Sequence, residues 1–444
     1  MSYPRYQEYA KSGVEWLGET PSAWIVKRVG YFFNERREKV SDKDFQALSV
    51  TKNGVVPQLE SAAKSDDGDN RKKVCIGDFV INSRSDRKGS SGASSLNGSV
   101  SLINTVIFPN KNIDIKFAHY LFRSTSFQEE YYRYGKGIVA DLWSTNYSEL
   151  KNISIPIPTL KEQSTIVAFL ENETVKIDFL VAEQEKLIDL LNEKRQAVIS
   201  NAVTKGLNLN IKTKYSGNSW LAHVPENWKV GRLKHIKSTE KNSFVDGPFG
   251  SNLKSEHFVE GGDVYVIESN FATQGILEQE KLKTISLKHF ETINRSEVRT
   301  GDIVIAKIGA QYGKSSILPD IDKRAVVSGN SLKLTVNSNI VDVKFVNWFI
   351  VNLKSLGVIE DIVNATAQPA LSLGELNNLP MLIPPLAEQE LIVNYLEEVL
   401  NKFESLINQA NVSIDLLKER RYALISAAVT GQIDVRNYQP KEVA

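Results

Sequence analysis

Two stretches of this 444-residue chain carry one apolar stripe in the same register. In the first, Ile166, Leu170, Ile177, Val181, Ile188, Leu191, Val198 and Ala202 follow one another at separations of three, four and seven. In the second, Ile392, Leu396, Phe403, Ile407, Ile414, Leu417, Leu424 and Ala428 each stand 226 residues further on. That spacing keeps the apolar residues on one helical face. About 43 residues at ~1.5 Å each make a rod of roughly 65 Å. Pro158 and Pro384–Pro385 stand where a helix tolerates proline, near its start, and Gly206 and Gly431 where a helix stops. A helix this long does not stand in water with its stripe uncovered. The economical cover is the other copy, and short chain connections favour an antiparallel coiled coil. The competing arrangement lays each helix along its own globular part.

The helices are part of a larger duplication. Residues 12–28 read SGVEWLGETPSAWIVKR and residues 216–232 read SGNSWLAHVPENWKVGR. Trp16, Leu17, Pro21, Trp24 and Arg28 return as Trp220, Leu221, Pro225, Trp228 and Arg232, an offset of 204. Ile113-Asp-Ile-Lys-Phe117 returns as Val341-Asp-Val-Lys-Phe345, an offset of 228. The helical blocks therefore repeat without a gap, while insertions and deletions fall in the globular parts. A period of half the chain means a duplicated domain with its connector, not a solenoid. Five segments result: 1–158, 159–206, 207–384, 385–431 and a tail, 432–444. Gly-Asp followed by an apolar run, at 74–83 and again at 298–307, reads as a turn and strand. Further strands are expected at 100–108 and 332–336. The fold class is thus α+β: two mixed, β-rich domains joined by two long helices, with an internal pseudo-two-fold repeat.

Composition narrows the function by exclusion. No apolar run approaches the ~20 residues of a membrane span, and MSYPRYQEYAKSGVEW at the N-terminus lacks a signal region. One cysteine, Cys75, leaves no intrachain disulfide and fits a cytoplasmic location. The net charge is +1, but it is unevenly spread: residues 159–204 and 385–430 are each −3, and residues 1–158 and 205–384 are +4 and +3. That distribution permits nucleic-acid binding without demanding it. Gly309-Ala-Gln-Tyr-Gly313-Lys314-Ser315 has three residues between its glycines where a P-loop needs four. His119, His223, His235, His257 and His289 show no metal spacing, and His119 reads as packing. No nucleophile elbow, amino-methyltransferase loop or S-adenosylmethionine loop is present. A chain this long without an active site reads as a binder or a scaffold, with no metal and no cofactor of its own.

Two loops read as recognition surfaces. Ser83 to Gly92 contains Arg84, Arg87, Lys88, Ser90 and Ser91 and follows the first Gly-Asp strand; Lys307, Gln311, Tyr312, Lys314 and Ser315 follow the second, at the equivalent place. Arginine and lysine neutralise phosphates or read guanine, glutamine reads adenine, and small residues permit close approach. Ser251 and Asn252 lie in a Gly/Pro turn with an apolar tip, and Arg71-Lys72-Lys73 reads as a solvated basic turn. Either recognition loop alone is an ordinary basic turn; the paired placement favours recognition.

These features together resemble the specificity (S) subunits of type I restriction–modification systems, over nearly the whole chain. The resemblance rests on the two openings at 12–28 and 216–232, on DGPFGSNLKSEHF at 246–258, and on the paired Gly-Asp strands with basic loops. It rests also on IPIPTLKEQ and LIPPLAEQE, with KRQAVISNAVTKG and ERRYALISAAVTG closing the two blocks. It implies two target-recognition domains, each reading one half of a bipartite, asymmetric site in double-stranded DNA. It implies that the coiled coil sets half-site spacing and docks two methyltransferase subunits, which bind S-adenosylmethionine. Restriction subunits that use ATP and Mg2+ would join that core, leaving this chain non-catalytic. The first domain lacks the DGPFG stretch. The alternative is a protein-interaction scaffold without sequence-specific DNA binding.

Overall fold

The computed structural model describes residues 3–60, 68–110, 113–137, 143–208, 210–362 and 370–439. The chain forms two units, residues 1–186 with 410–444, and residues 187–409. Each of the two long helices, Leu160–Lys205 and Leu386–Val429, contributes residues to both units.

The first unit is built around an antiparallel four-stranded sheet in the order Ser91–Ala93, Phe79–Asn82, Asn104–Pro109, Phe33–Glu35. The Val80 and Ile81 positions pair with Gly92 and Ser91 on one side and with Val106 and Thr105 on the other. A three-stranded sheet, Gly98–Val100, Arg71–Val74 and Lys39–Val40, adjoins it in sequence. Arg71 is buried and donates to the Ser99 hydroxyl at 2.9 Å and the Ser99 carbonyl at 3.1 Å. Lys72 donates to the Asn104 carbonyl at 2.8 Å. The Arg71-Lys72-Lys73 run is therefore a strand tied into the sheet, not the solvated turn its charge suggested.

The second unit repeats the first sheet strand for strand. Its order is Ser315–Ile317, Ile303–Ala306, Ser331–Leu334, Phe244–Asp246, again antiparallel throughout. A second sheet, Lys283–Ile285, Val264–Ile267, Arg324–Val327 and Glu297–Val298, contains a parallel pair, Val264–Ile267 with Arg324–Val327. The strand Ile25–Arg28 pairs with Ser154–Ile157, and Lys229–Arg232 pairs with Pro380–Ile383, in matching register. Both units are thus mixed α+β domains, with identical central sheets and different surroundings.

The repeated Gly-Asp is a turn that launches the central strand. Gly77 and Gly301 take φ of 88° and 85°, values that favour glycine. Asp78 is buried and accepts from Arg36 Nε at 2.7 Å, Arg36 Nη2 at 2.9 Å and the Cys75 amide at 2.8 Å. Asp302, equally buried, accepts from the Arg299 amide at 2.8 Å and pairs with Lys333 at 3.6 Å. Burial of a carboxylate is tolerated here because each is fully hydrogen-bonded.

Each long helix is pinned at its start by a glutamine. Gln163 and Gln389 are fully buried. Gln163 accepts from the Asp114 amide at 2.7 Å and donates to the Pro158 carbonyl at 2.9 Å. Gln389 accepts from the Asp342 amide at 2.8 Å and donates to the carbonyls of Pro384, at 2.8 Å, and Ile340, at 3.1 Å. Asp114 and Asp342 in turn cap the helices Ile115–Arg123 and Val343–Ser355. One glutamine therefore ties the proline turn, a capped helix and the long helix together. This is the physical content of the repeated Pro-x-Leu-x-Glu-Gln.

Within each unit the two long helices run antiparallel. In the first, Asp178 pairs with Arg421 through two bonds of 2.8 and 3.2 Å, and Ile177, Val181, Leu417 and Leu424 share one core. In the second, Gly206, just past the end of one helix, lies against Glu388 in the first turn of the other. The stripe is not uniformly buried. Ile166, Leu170, Ile177, Leu424 and Ala428 are buried in one core, and Ala202, Ile392 and Leu396 in the other. Val181, Ile188, Leu191, Val198, Phe403, Ile407 and Leu417 are half-buried. Each long helix therefore packs both on globular elements and on the other helix; the two arrangements weighed from the sequence coexist.

The C-terminal residues close the first unit. Tyr9 donates to the Gly431 carbonyl at 2.9 Å, the Asp434 amide to the Pro4 carbonyl at 2.8 Å, and Tyr438 packs edge-on against Phe169. Residues 432–439 are thus part of that unit's packing.

Candidate nucleic-acid interface

The two loops expected to recognise DNA sit at the same place in the two equivalent sheets. Each joins the central strand to the next, after Asn82 in the first unit and after Ala306 in the second, and each spans eight residues.

In the first loop, Arg84 is half-buried and Arg87 and Lys88 are exposed. Their charges are locally satisfied: Arg84 pairs with Asp86 at 3.1 Å, Arg87 with Asp86 at 3.7 Å, and Lys88 with Glu129. Exposed pairs of this kind contribute about 0–1 kcal/mol, so a phosphate can displace the carboxylate at little cost. Ser90 and Ser91 differ from the expectation. They are 7% and 1% exposed, because the chain has already entered the sheet, and Ser91 is a strand residue. Trp143, which the sequence reading passed over, stands 38% exposed beside the loop, its carbonyl accepting from the Ser85 amide at 2.9 Å.

In the second loop, Gln311 and Lys314 are exposed. Tyr312 is half-buried, with the Lys354 ammonium 4.0 Å from its ring centroid. Lys307 pairs with Asp246 at 3.2 Å, both largely covered, which makes it an anchor of the loop. Ser315 is buried in the strand and donates to Asn347 at 2.8 Å. The strand that follows the loop is not the helix a phosphate-binding P-loop requires.

Ser251 and Asn252 are exposed on a separate tip, where Phe249 is 70% exposed. A protruding aromatic ring beside amide and hydroxyl groups is chemistry suited to stacking on a base or wedging a base step. His289 and the Asn252 carbonyl, 2.9 Å apart, hold this tip to the helix Leu287–Ile293.

The long helices expose apolar residues off their seam. Val175, Phe179, Leu180 and Leu187 on one, and Val412, Leu416 and Tyr422 on the other, stand between 43% and 67% exposed. The period of the stripe identified the seam but gave no sign of these. Among the described residues, no group of three His, Cys, Asp or Glu is placed to hold a metal, and no helix is long and apolar enough to cross a membrane.

The family model for the type I restriction modification DNA specificity domain matches residues 21–188 and again residues 225–415. The chain belongs to that family. The two matches fall on the two halves of the duplication and include the globular part and most of the helix of each. Among curated relatives, the MjaVIII type I restriction enzyme specificity subunit of Methanocaldococcus jannaschii is 25% identical over 65% of this chain. That match spans 64% of the relative's own length. The EcoKI type I restriction enzyme specificity subunit of Escherichia coli is 20% identical over 94% of this chain and 90% of its own. Two solved structures share the fold. One, from work on complex assembly and conformational transition of the type I restriction–modification system, has a TM-score of 0.71 at 16% identity, covering 92% of this chain and 98% of its own. The HsdS subunit of Thermoanaerobacter tengcongensis has a TM-score of 0.54 at 17% identity, covering 93% and 98%.

Proposed function

We propose that this chain is the DNA-reading subunit of a type I restriction–modification complex, each unit reading one half of a bipartite, asymmetric site in double-stranded DNA. One observation carries the reading: two central sheets of identical strand order present loops of different chemistry at the same position. A shared scaffold with unlike loops is what two different half-sites call for. The first loop offers Arg84, Arg87 and Lys88; the second offers Gln311 and Lys314, with the Phe249 tip three residues beyond Asp246, the ion-pair partner of Lys307.

The paired long helices set the distance between half-sites, and their exposed apolar residues dock two methyltransferase subunits. The chemistry belongs to those partners: S-adenosylmethionine on the methyltransferase subunits, ATP and Mg2+ on restriction subunits. The chain itself is non-catalytic and acts in the cytoplasm.

Charge reversal tests the reading one half-site at a time. With the methyltransferase subunits present, Arg87→Glu and Lys314→Glu should each weaken binding to the full site by about 1–3 kcal/mol, the cost of a lost specific contact. Unchanged site-specific binding in both variants would favour a protein-interaction scaffold instead.

A further inference from the structure

The first unit contains a basic cavity that borders the recognition loop. A cavity of about 360 Å³ is walled by Lys52, by Lys88 and Gly89 of the recognition loop, and by His119, Arg123 and Arg421 among others, and no described residue lining it is Asp or Glu. Lys52 lies at the tip of the hairpin Leu48–Thr51/Gly54–Pro57, and Arg421 comes from the second long helix.

Two polar groups of this cavity, His119 and Arg123, do not satisfy one another. His119 Nδ1 accepts from the Ala93 amide at 3.1 Å. A neutral imidazole has one N–H, so the proton must be on Nε2. Yet Arg123 Nη1, also a donor, stands 3.1 Å from that same Nε2. Two donors, Arg123 Nη1 and His119 Nε2, face each other, and among the described residues neither nitrogen has an acceptor. Protonating the imidazole would not help, and it is disfavoured: burial, then Arg123 and Arg421, hold His119 down to about 4. Arg123 donates otherwise to the Lys52 carbonyl and has no carboxylate partner among the described residues. Burying a guanidinium without a counter-charge is costly. The helix Thr125–Arg133 begins at the same wall, with Ser124, Thr125 and Gln128 lining the cavity, and a helix start favours an anion.

The duplication shows that this arrangement is not part of the shared scaffold. At the offset of 228, Asn347 and Val351 stand where the first unit has His119 and Arg123. The second unit therefore has neither an imidazole nor a guanidinium at these positions.

We propose that this cavity binds a phosphoryl group, whose oxygens accept from Arg123 and His119 while Lys52 offsets its charge; Arg421 and Lys88 at the same wall are paired with Asp178 and Glu129. The group is carried either by a free phosphate compound or by a DNA backbone.

Titration of the full-length chain with sodium pyrophosphate, followed by calorimetry, tests this without any DNA, so its failure leaves the half-site reading untouched. Saturable binding at one site is expected. Arg123→Gln should weaken it by roughly tenfold or more, as loss of a charge-assisted hydrogen bond predicts. Lys52→Glu, at an exposed hairpin tip, should weaken it as well and does not threaten folding. A fluorescent duplex of arbitrary sequence then distinguishes the sources: displacement by pyrophosphate assigns the site to the DNA backbone, and simultaneous binding assigns it to a free phosphate compound. Absence of saturable pyrophosphate binding, or equal binding by the wild type and Lys52→Glu, would overturn the proposal.

Discussion

Gln163 and Gln389 do more for this fold than their chemistry suggests, because each serves a proline turn, a capped helix and a long helix at once. Gln389→Ala leaves the Asp342 amide and two carbonyls without their partner, and buried polar groups so orphaned cost about 1–3 kcal/mol. Thermal unfolding should show that loss. The two glycines past the long helices are not equivalent. Both take left-handed φ, 74° at Gly206 and 76° at Gly431. A Cβ at Gly431 would lie 2.4 Å from Pro21 Cδ, whereas one at Gly206 would meet the flexible Glu388 carboxylate at 3.0 Å. Gly431→Ala should therefore lower the melting temperature more than Gly206→Ala, whose cost is about 1 kcal/mol of backbone strain. His119 adds a pH dependence. Its folded pKa, held to about 4 by burial and then by Arg123 and Arg421, lies below the unfolded value. The unfolded chain therefore binds the proton first as pH falls. The contribution is complete above pH ~6.5 and is lost on descent towards pH 4, on the order of 2–3 kcal/mol. His119→Gln should flatten that part of the pH–stability curve.

At the scale of elements, the helices were the most legible part of the sequence. A 3/4 apolar period repeated without a gap leaves little freedom, and Leu160–Lys205 and Leu386–Val429 lie where it placed them. The Gly-Asp strands were legible for a similar reason, since a left-handed glycine and a buried aspartate make a local turn. The site was less legible. Ser90, Ser91 and Ser315 share the recognition loops' polar composition, yet the strand begins at or just after them and buries them. Trp143 and the His119–Arg123 cavity depend on side chains that meet only after folding, and no spacing announces them. The geometry also locates where a ruler can be altered. Glu171 pairs with Lys116 at 2.8 Å, and Ile177 is buried just beyond it, so an insertion after Glu171 disrupts the first unit's core. The half-buried stretches around Ile188 and Ile407 tolerate change better. Seven residues added to both helices there should lengthen the spacer by ~10 Å, about three base pairs, without altering the half-sites. A changed half-site with an unchanged spacer would refute the ruler.

For the whole molecule, the duplication separates what must stay constant from what must vary. The glutamine lock, the aspartate caps, the ion pairs Lys116–Glu171 and Lys344–Glu397, and the order of the central sheet recur in both units. The loops, the second sheet and the phosphoryl cavity do not. Conserved scaffold and divergent loops predict that each globular part specifies its own half of a target independently. The direct test is methylome sequencing of cells expressing this chain with its methyltransferase subunit, before and after the second globular part is exchanged for that of a relative. A split, adenine-methylated motif is expected, of which the exchange changes one half only. No split motif from the assembled complex, or a change in both halves, would contradict the account.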